Sequence, residues 1–559
     1  MSATNRMLGR AAHACRLCAL ALLAAVVLGL PGCEQKVESP PGPGESKGKT
    51  GILPEGATKP NIVIILVDAL RADRLGAYGH PGKLSPTMDT IAAAGVTFDY
   101  CVAPAPWTLP SVATLFTSYY PGVHKATSYR VVTHMEDGKQ AYQSVLSDQF
   151  DTLAEVLAAS GYQTAGFVAA KFLRGPYGFA QGFEHYDTSF AENTVRGEVV
   201  NAALFTWLDA QRDSSKPLFL YLHYMDVHGP YNAAPQFMDP LLEQVEANPN
   251  KQLLSSKEFG ALNPYLKLPP PNASDPGQYE RLKGYREYWV ARYEAGVAEM
   301  DFYLGQLIEG LKERGLWDDA YVILMADHGE ALCEHGLWDH GYSQYQTDLR
   351  VPLVLRWPKV LPAGKRVRRL ASLIDLMPTL LEQLRLPAGE NLQGSSLVDH
   401  IPDSLPDMPL TRFAEAVKSG PRQYALFVDN TKLMARSLPP HTLPDGTTSK
   451  ASAEYQLFNL ATDPEEKYDV LGQYPALVEQ LKRLLQKVVL TNMSTKPGLV
   501  VSKEAVDQET MQKLESLGYV GTAEDANEAE EVPQPASQPA TAPADESGES
   551  EAEPNDDNP

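Results

Sequence analysis

Apolar runs of strand length alternate with amphipathic stretches of helical period over most of this chain. Residues 61–67 form a β-branched run that predicts a buried strand, and 86–95 follow with a helical period. The pattern then predicts a helix over 152–160, strands over 164–169 and 218–225, and a long amphipathic helix over 285–314. Strands over 320–326 and 351–357 complete this series, and no internal repeat interrupts it. Alternation of this kind argues for a mainly parallel sheet covered by helices, an α/β fold. Beyond about residue 400 the pattern weakens, with strand-like 424–428 and 455–460 before a helix over 475–489. That suits a small C-terminal α+β subdomain.

The two ends differ from this body. Arg6, Arg10 and Arg16 precede an apolar run over 17–30, which meets Leu30-Pro31-Gly32-Cys33. A basic region, a short apolar core and a small residue before a cysteine are the layout of a bacterial lipoprotein signal over 1–33, with Cys33 as the lipidated residue. A membrane-spanning anchor would need roughly 20 apolar residues, more than this run supplies before Pro31 and Gly32 close it. Processing would remove Cys15 and Cys18 and leave Cys101 and Cys333 as thiols in an oxidising compartment, their pairing open. Residues 34–59, rich in Pro, Gly, Lys and Glu, lack the apolar content to offset ordering and are expected to be a flexible tether. Residues 522–559 are expected to be a disordered spacer for the same reason. The formal net charge of the chain is −22, but that tail holds twelve acidic and no basic residues, which leaves −10 for the rest. A body of that charge is a poor partner for nucleic acid.

Candidate chemistry clusters at predicted strand ends. Asp68 follows the apolar strand directly, and Asp327-His328-Gly329-Glu330 follows another. Ligands bind at the carboxyl ends of parallel strands, where loops and helix N-termini converge, so Asp327 and His328 are candidate metal ligands. Asp68 alone also fits a simple turn cap. Glu334-His335 and Asp339-His340 add histidines and carboxylates within the same short stretch. A hydroxyl candidate lies in Pro106-Trp107-Thr108-Leu109-Pro110-Ser111, where Thr108 takes an N-cap position and Pro110 falls in the first turn. The positive end of a helix there favours an alkoxide and an anionic substrate group, although a threonine in this position taken alone is more often an ordinary cap.

These segments, in order, resemble the sulfatase family of the alkaline phosphatase superfamily. The resemblance begins with Asp68, Leu70-Arg71-Ala72-Asp73, Ser85-Pro86-Thr87-Met88-Asp89, Trp107-Thr108-Leu109-Pro110-Ser111 and Tyr120-Pro121-Gly122-Val123-His124. It continues through Tyr221-Leu222-His223-Tyr224-Met225-Asp226-Val227-His228-Gly229-Pro230, Asp327-His328-Gly329-Glu330, Arg350-Val351-Pro352-Leu353 and Leu373-Ile374-Asp375-Leu376-Met377-Pro378-Thr379. It ends near Leu457-Phe458-Asn459-Leu460. The resemblance implies an alkaline-phosphatase-like α/β/α sandwich, with a catalytic domain over 60–400 and the smaller subdomain over 401–521. It implies Asp68, Thr108, Asp327 and His328 as metal ligands and Thr108 as nucleophile. It also places His228 and His340 on the transferred group or the leaving oxygen, and Lys171 and Asp226 on substrate. His223, inside a strand, and His124, after a helix, read as structural.

The departures shape the expected reaction. Formylglycine sulfatases carry Cys or Ser, then Pro two positions on and Arg four positions on; here the frame reads Thr108, Pro110 and Val112. They also follow the first Asp with a second, whereas Ala69 follows Asp68. The reduced ligand set resembles threonine-nucleophile relatives such as phosphoglycerol and phosphoethanolamine transferases. A divalent ion is implied, with the imidazole favouring zinc or manganese over calcium or magnesium. The expected partners are a sulfated or phosphorylated extracellular small molecule, glycan or lipid head group, and a membrane through the lipid anchor. The expected activity is ester hydrolysis, with a phosphodiesterase or transferase, or an inactive binding protein on the same fold, as the alternatives. Replacing Cys33 with Ala is expected to abolish lipid-dependent processing and membrane attachment in a bacterial host. Unchanged fractionation of Cys33→Ala would remove the lipoprotein reading.

Overall fold

In the computed structural model the described residues are 52–134, 138–191, 195–262, 276–389, 391–402, 410–438, 452–495 and 503–506. They belong to one unit, Thr50–Pro559. The readings of 1–33 and 522–559, and the 34–51 part of the expected 34–59 tether, lie outside the described residues; of the rest of that tether, Ile52 and Leu53 are buried, and the Leu53 amide donates to the carbonyl of Gln383 at 2.7 Å. Among the described residues no helix is long and apolar enough to cross a membrane.

Eight strands form the central sheet: β1 (Ile62–Val67), β2 (Val96–Phe98), β3 (Gln163–Val168), β4 (His185–Asp187), β5 (Leu218–Tyr224), β6 (Tyr321–Met325), β7 (Leu353–Arg356) and β8 (Lys365–Val367). Their order across the sheet is β8-β2-β7-β6-β1-β5-β3-β4. All neighbours run parallel except β7, which lies antiparallel to both β6 and β2. The central strands are continuously apolar because both faces are covered. Every residue of β1 is buried, and burial of each such aliphatic side chain stabilises by about 1.5–3 kcal/mol.

Helices pack in two groups. The helix Arg286–Glu313 contacts Pro86–Ala93, Gly197–Gln211 and Pro235–Ala247; the helix Thr108–Thr117 contacts Leu153–Ala159 and Leu376–Gln383. This is an alkaline-phosphatase-like sandwich with a mainly parallel sheet. Predicted elements in the body recur with ends shifted by one or two residues, except that the 351–357 run contributes only Leu353–Arg356 and the 285–314 helix opens at Arg286. Helices Gly197–Gln211 and Pro235–Ala247 were not expected, the second because Pro240 lies inside it.

The smaller subdomain is an antiparallel sheet of β9 (Thr411–Ala414), β10 (Gln423–Val428), β11 (Thr431–Leu438) and β12 (Ser452–Asn459), followed by the helix Pro475–Ser494. Its apolar face, with Phe413, Leu426, Leu433, Leu457, Val478, Leu481 and Leu485, closes on Tyr120 and Ile374 of the larger part. Two buried ion pairs sit at this junction. Arg412 Nε donates to Asp375 Oδ2 at 2.7 Å, and the Lys432 ammonium meets Glu466 and the carbonyl of Gln344. Glu466 also accepts from the amide of Gln346 at 2.6 Å. The pair therefore ties the subdomain to the loop that follows His340.

Removing one partner of a buried pair leaves an uncompensated charge, which costs about 3–5 kcal/mol. Lys432→Met is expected to lose that much in urea denaturation, and Lys432→Met with Glu466→Gln should recover most of it. A loss under about 1 kcal/mol in the single variant would show that the pair contributes little.

Candidate active site

The register of the sheet sets the site. Leu66 of β1 lies opposite Met325 of β6, so Asp68 and Asp327, each two residues further on, emerge at the same height from neighbouring strands. The Asp68 amide continues the ladder to the carbonyl of Tyr224 at 2.9 Å. Ala69 then turns at φ +60°, which brings its amide to 3.4 Å from Asp327 Oδ1. Both carboxylates are fully buried.

His328 completes a cluster. Its Nδ1 donates to the carbonyl of Gly329 at 2.8 Å, which turns Nε2 toward the carboxylates. That Nε2 lies 3.2 Å from Asp68 Oδ1 and 3.5 Å from Asp327 Oδ2. Thr108 Oγ1 joins it, 3.2 Å from His328 Nε2 and 3.3 Å from Asp68 Oδ2. The helix Thr108–Thr117 begins with Trp107 as its cap, so Thr108 is its first helical residue and not the N-cap. The hydroxyl is drawn to Asp68 and His328 and does not turn back onto a helix amide. Ser111 Oγ, one turn further along, donates to the carbonyl of Asp327 at 2.6 Å and fixes the helix to the end of β6.

These residues fit a divalent cation. Asp68, Asp327 and His328 each present a ligand atom, all within 4.8 Å of one another. Asp68 Oδ1 and Asp327 Oδ2 are buried without a hydrogen-bond donor. Burial and the charge of Asp68 push the Asp327 carboxyl up to about 7. Burial opposes ionisation of Asp68 as well, but the hydrogen bond and charge of His328, with His228 and His223, hold it well below the usual range. Two buried like charges at this spacing create the demand for positive charge that an ion would meet.

The predicted site residues do not all converge. His340 stacks near His328 at 4.3 Å between ring centroids, and His228 lies 4.9 Å from His340. Asp339, at φ +68°, folds back so that Oδ1 accepts from the His340 amide at 2.8 Å and lies 3.0 Å from Nδ1. Glu330 Oε1 flanks the same Nδ1 at 3.2 Å. Burial works against a charged His340, yet Asp339 and Glu330 raise its pKa well above the ordinary imidazole range. Lys171 opens the turn after β3 and is buried; the ring of the next residue, Phe172, packs edge-on against Trp107 at 5.8 Å, beside Thr108. Asp226 instead accepts from the Gly197 amide at 2.7 Å and caps the helix Gly197–Gln211. Burial and Glu299 push that carboxyl up to about 7.

Within the 334–340 stretch, Glu334 pairs with Arg71 at 3.0 Å and Arg286 at 3.4 Å, and His335 stacks on Tyr345 at 3.7 Å, so both face away from Asp68, Asp327 and His328. Cys101 and Cys333 are both free and buried. His124 holds Thr114 Oγ1 at 3.0 Å, a structural role. His223 is the residue that strand position concealed: it lies opposite Leu66, shares the face of Asp68, and brings Nε2 to 3.5 Å from Asp68 Oδ2. Glu330 was quoted within a motif without a role; its spacing two residues past His328 was the available signal.

A mainly parallel sheet whose strand ends gather carboxylates, an imidazole and a helix-opening hydroxyl defines a hydrolase of the alkaline phosphatase superfamily. The Sulfatase family model matches residues 60–386. The chain belongs to the sulfatase family, whose named members are sulfuric ester hydrolases and which generally uses a divalent metal. Among curated relatives it is 24% identical to arylsulfatase K of Xenopus laevis over 475 residues, 77% of this chain and 82% of the relative. A solved structure in complex with its substrate D-glucosamine-2-N,6-O-disulfate superposes with a TM-score of 0.60 at 21% identity, over 79% of this chain and 99% of that one. The phosphonate monoester hydrolase of Agrobacterium radiobacter superposes with a TM-score of 0.58 at 20% identity, over 78% and 96%.

Asp327→Ala removes a carboxylate whose charge opposes folding, so the variant is expected to stay folded while losing the bound divalent ion. Elemental analysis with circular dichroism checks both; full metal retention in a folded Asp327→Ala would place the ion elsewhere.

Proposed function

We propose that the chain is a metal-dependent esterase in which the Thr108 hydroxyl attacks a sulfuryl or phosphoryl centre. The observation that carries this reading is the position of Thr108 Oγ1, first in its helix and 3.2–3.3 Å from His328 and Asp68. Asp68, Asp327, His328 and Thr108 would hold the ion, and the imidazole in that set favours zinc or manganese. When bound, a divalent ion supplies Lewis-acid charge that lowers the hydroxyl pKa and screens the anionic ester.

The remaining steps fall to the protein. The helix that opens at Thr108 presents the positive end of its dipole there, which favours an anionic ester. Thr108 gives up its hydroxyl proton to solvent as a bond forms from Oγ1 to sulfur or phosphorus, the bond to the ester oxygen breaks, and His340 or His228 gives that oxygen a proton as it leaves. Water then attacks the same centre and returns a proton to that histidine, the bond to Oγ1 breaks, and the threonine regains a proton from solvent as sulfate or phosphate is released. Lys171, in the turn beside Trp107 and Thr108, suits the non-reacting oxygens. Asp226 acts at a distance, by holding the segment that leads to His228.

The substrate class follows from the nucleophile. A formylglycine hydrate has a second oxygen that expels sulfate as the aldehyde re-forms, and an unmodified threonine has none. Its intermediate must be resolved by attack at the central atom, a route natural to phosphoryl transfer. Oxidation of Thr108 would give a ketone, because its β-carbon carries a methyl group. The disulfated glucosamine bound by one structural relative supports a sulfated glycan; the phosphonate monoester hydrolase supports a phosphoryl substrate. With Cys33 lipidated, the body would act on such esters at a bacterial membrane facing the periplasm or the cell surface.

The expected result with aryl sulfate, aryl phosphate and bis-aryl phosphate is phosphoester or phosphodiester turnover at least equal to sulfate turnover. Mass spectrometry should find Thr108 unmodified, and Thr108→Ala should lose activity by at least about 10³-fold. Efficient sulfate hydrolysis without phosphodiesterase activity, persisting in Thr108→Ala, would overturn both the nucleophile and the substrate class.

A further inference from the structure

The segment between β9 and β10 carries a cation from the smaller subdomain to the reaction centre. Glu415 N donates to the carbonyl of Pro104 at 3.0 Å, and Trp107 Nε1 donates to the carbonyl of Ala416 at 2.7 Å. Lys418 N then donates to the carbonyl of Gly341 at 2.7 Å. One short stretch is thus fastened both to the chain entering Thr108 and to the chain leaving His340. A side chain at Gly341 would come within 2.9 Å of Lys418 Cβ and 3.5 Å of Trp107 Cβ, so these backbones touch with nothing between them.

The Lys418 stem is half-exposed, but its ammonium nitrogen is buried. It lies 5.6 Å from the centre of the Tyr342 ring and shares its surroundings with the carboxylates of Asp339 and Glu330. Burial pulls the lysine down to about 8, while those two carboxylates work to keep it charged. They are the same two that flank His340 Nδ1. Lys418 and His340 therefore balance Asp339 and Glu330, two positive groups against two negative ones, in a largely buried place. Without Lys418, Asp339 would have only His340 to answer its charge, and its carboxylate would be drawn out of the geometry that grips the imidazole.

We infer that Lys418 is a positioning residue: it fixes Asp339, and through Asp339 the imidazole of His340, so that the C-terminal subdomain sets the group that faces the departing oxygen. The inference rests on the leaving-group role given to His340 above. The order of action is Lys418 on Asp339, Asp339 on His340, and His340 on the ester oxygen. Partners of this kind typically change activity 10- to 100-fold when removed.

The experiment is a double-mutant cycle on the full chain, with phenyl and 4-nitrophenyl esters of whichever acid the enzyme turns over. Lys418→Met is expected to lower kcat/KM for the phenyl ester by about 10- to 100-fold and to affect the 4-nitrophenyl ester far less, since a good leaving group needs no proton. In a His340→Ala background the same substitution should change the rate by no more than about twofold. Asp339→Asn breaks the relay without touching Lys418 and should show the same leaving-group dependence and the same coupling. Metal content and melting temperature serve as controls, and if Lys418→Met does not fold, Lys418→Gln takes its place in the same cycle. Losses that multiply with those of His340→Ala, or that fall equally on both esters, overturn the inference. If His340→Ala alone is without effect, the role of His340 and that of Lys418 fall together, whereas multiplicative losses remove Lys418 and leave the reaction standing.

Discussion

Asp68 and Asp327 leave adjacent parallel strands at one height, and water reaches neither. Repulsion between two such charges grows as the dielectric around them falls, so the arrangement persists only where positive charge and oriented dipoles answer it. Much of the surrounding structure is that answer. His328 lies between the carboxylates, His223 approaches Asp68 from the neighbouring strand, and a helix opens toward them with Thr108 in its first turn. A divalent ion would complete the compensation, and a hydroxyl held there would gain acidity from the same source.

A second layer of charge surrounds the first. His340 is gripped by Asp339 and Glu330, and Lys418, from the smaller subdomain, feels the charge of the same two carboxylates. The site is therefore graded: an anionic floor that takes up a cation, then cationic side chains above it that suit an anionic ester. The aromatic contact of Trp107 with Phe172 holds the chain entering Thr108 against the turn that carries Lys171.

The sheet was legible in the sequence because its strands are buried on both faces and read as unbroken apolar runs; β1 is Ile62–Val67 with every residue buried. Asp68, Asp327 and His328 were legible because they follow such runs directly. The approach of His223 to Asp68 was hidden for a geometric reason: in a parallel sheet a residue inside one strand shares its face with the residue opposite, and Leu66 leads two positions on to Asp68. Glu334 and His335 lie close to His328 in sequence, but a left-handed turn at Cys333 and His335 sends them to Arg71 and Tyr345. Asp226 lay in a matching motif, yet its carboxylate is spent on a helix amide. Lys418 gave no local signal, because its meaning comes only from the packing of a segment far along the chain.

The reversed direction of β7 has a consequence for how this architecture diversifies. Because β7 begins opposite the end of β6, the chain leaves the sheet at Met325 and re-enters it at Leu353 on the same rim. The whole excursion between them starts and finishes over the reacting groups and crosses no face of the sheet. Insertions or deletions within it need not reroute a strand or displace a helix layer. The same excursion carries Asp327, His328, Glu330, Asp339 and His340, so a change of length there shifts ion ligands, leaving-group histidine and surrounding wall together, and substrate range and reaction chemistry are tied to one stretch of polypeptide.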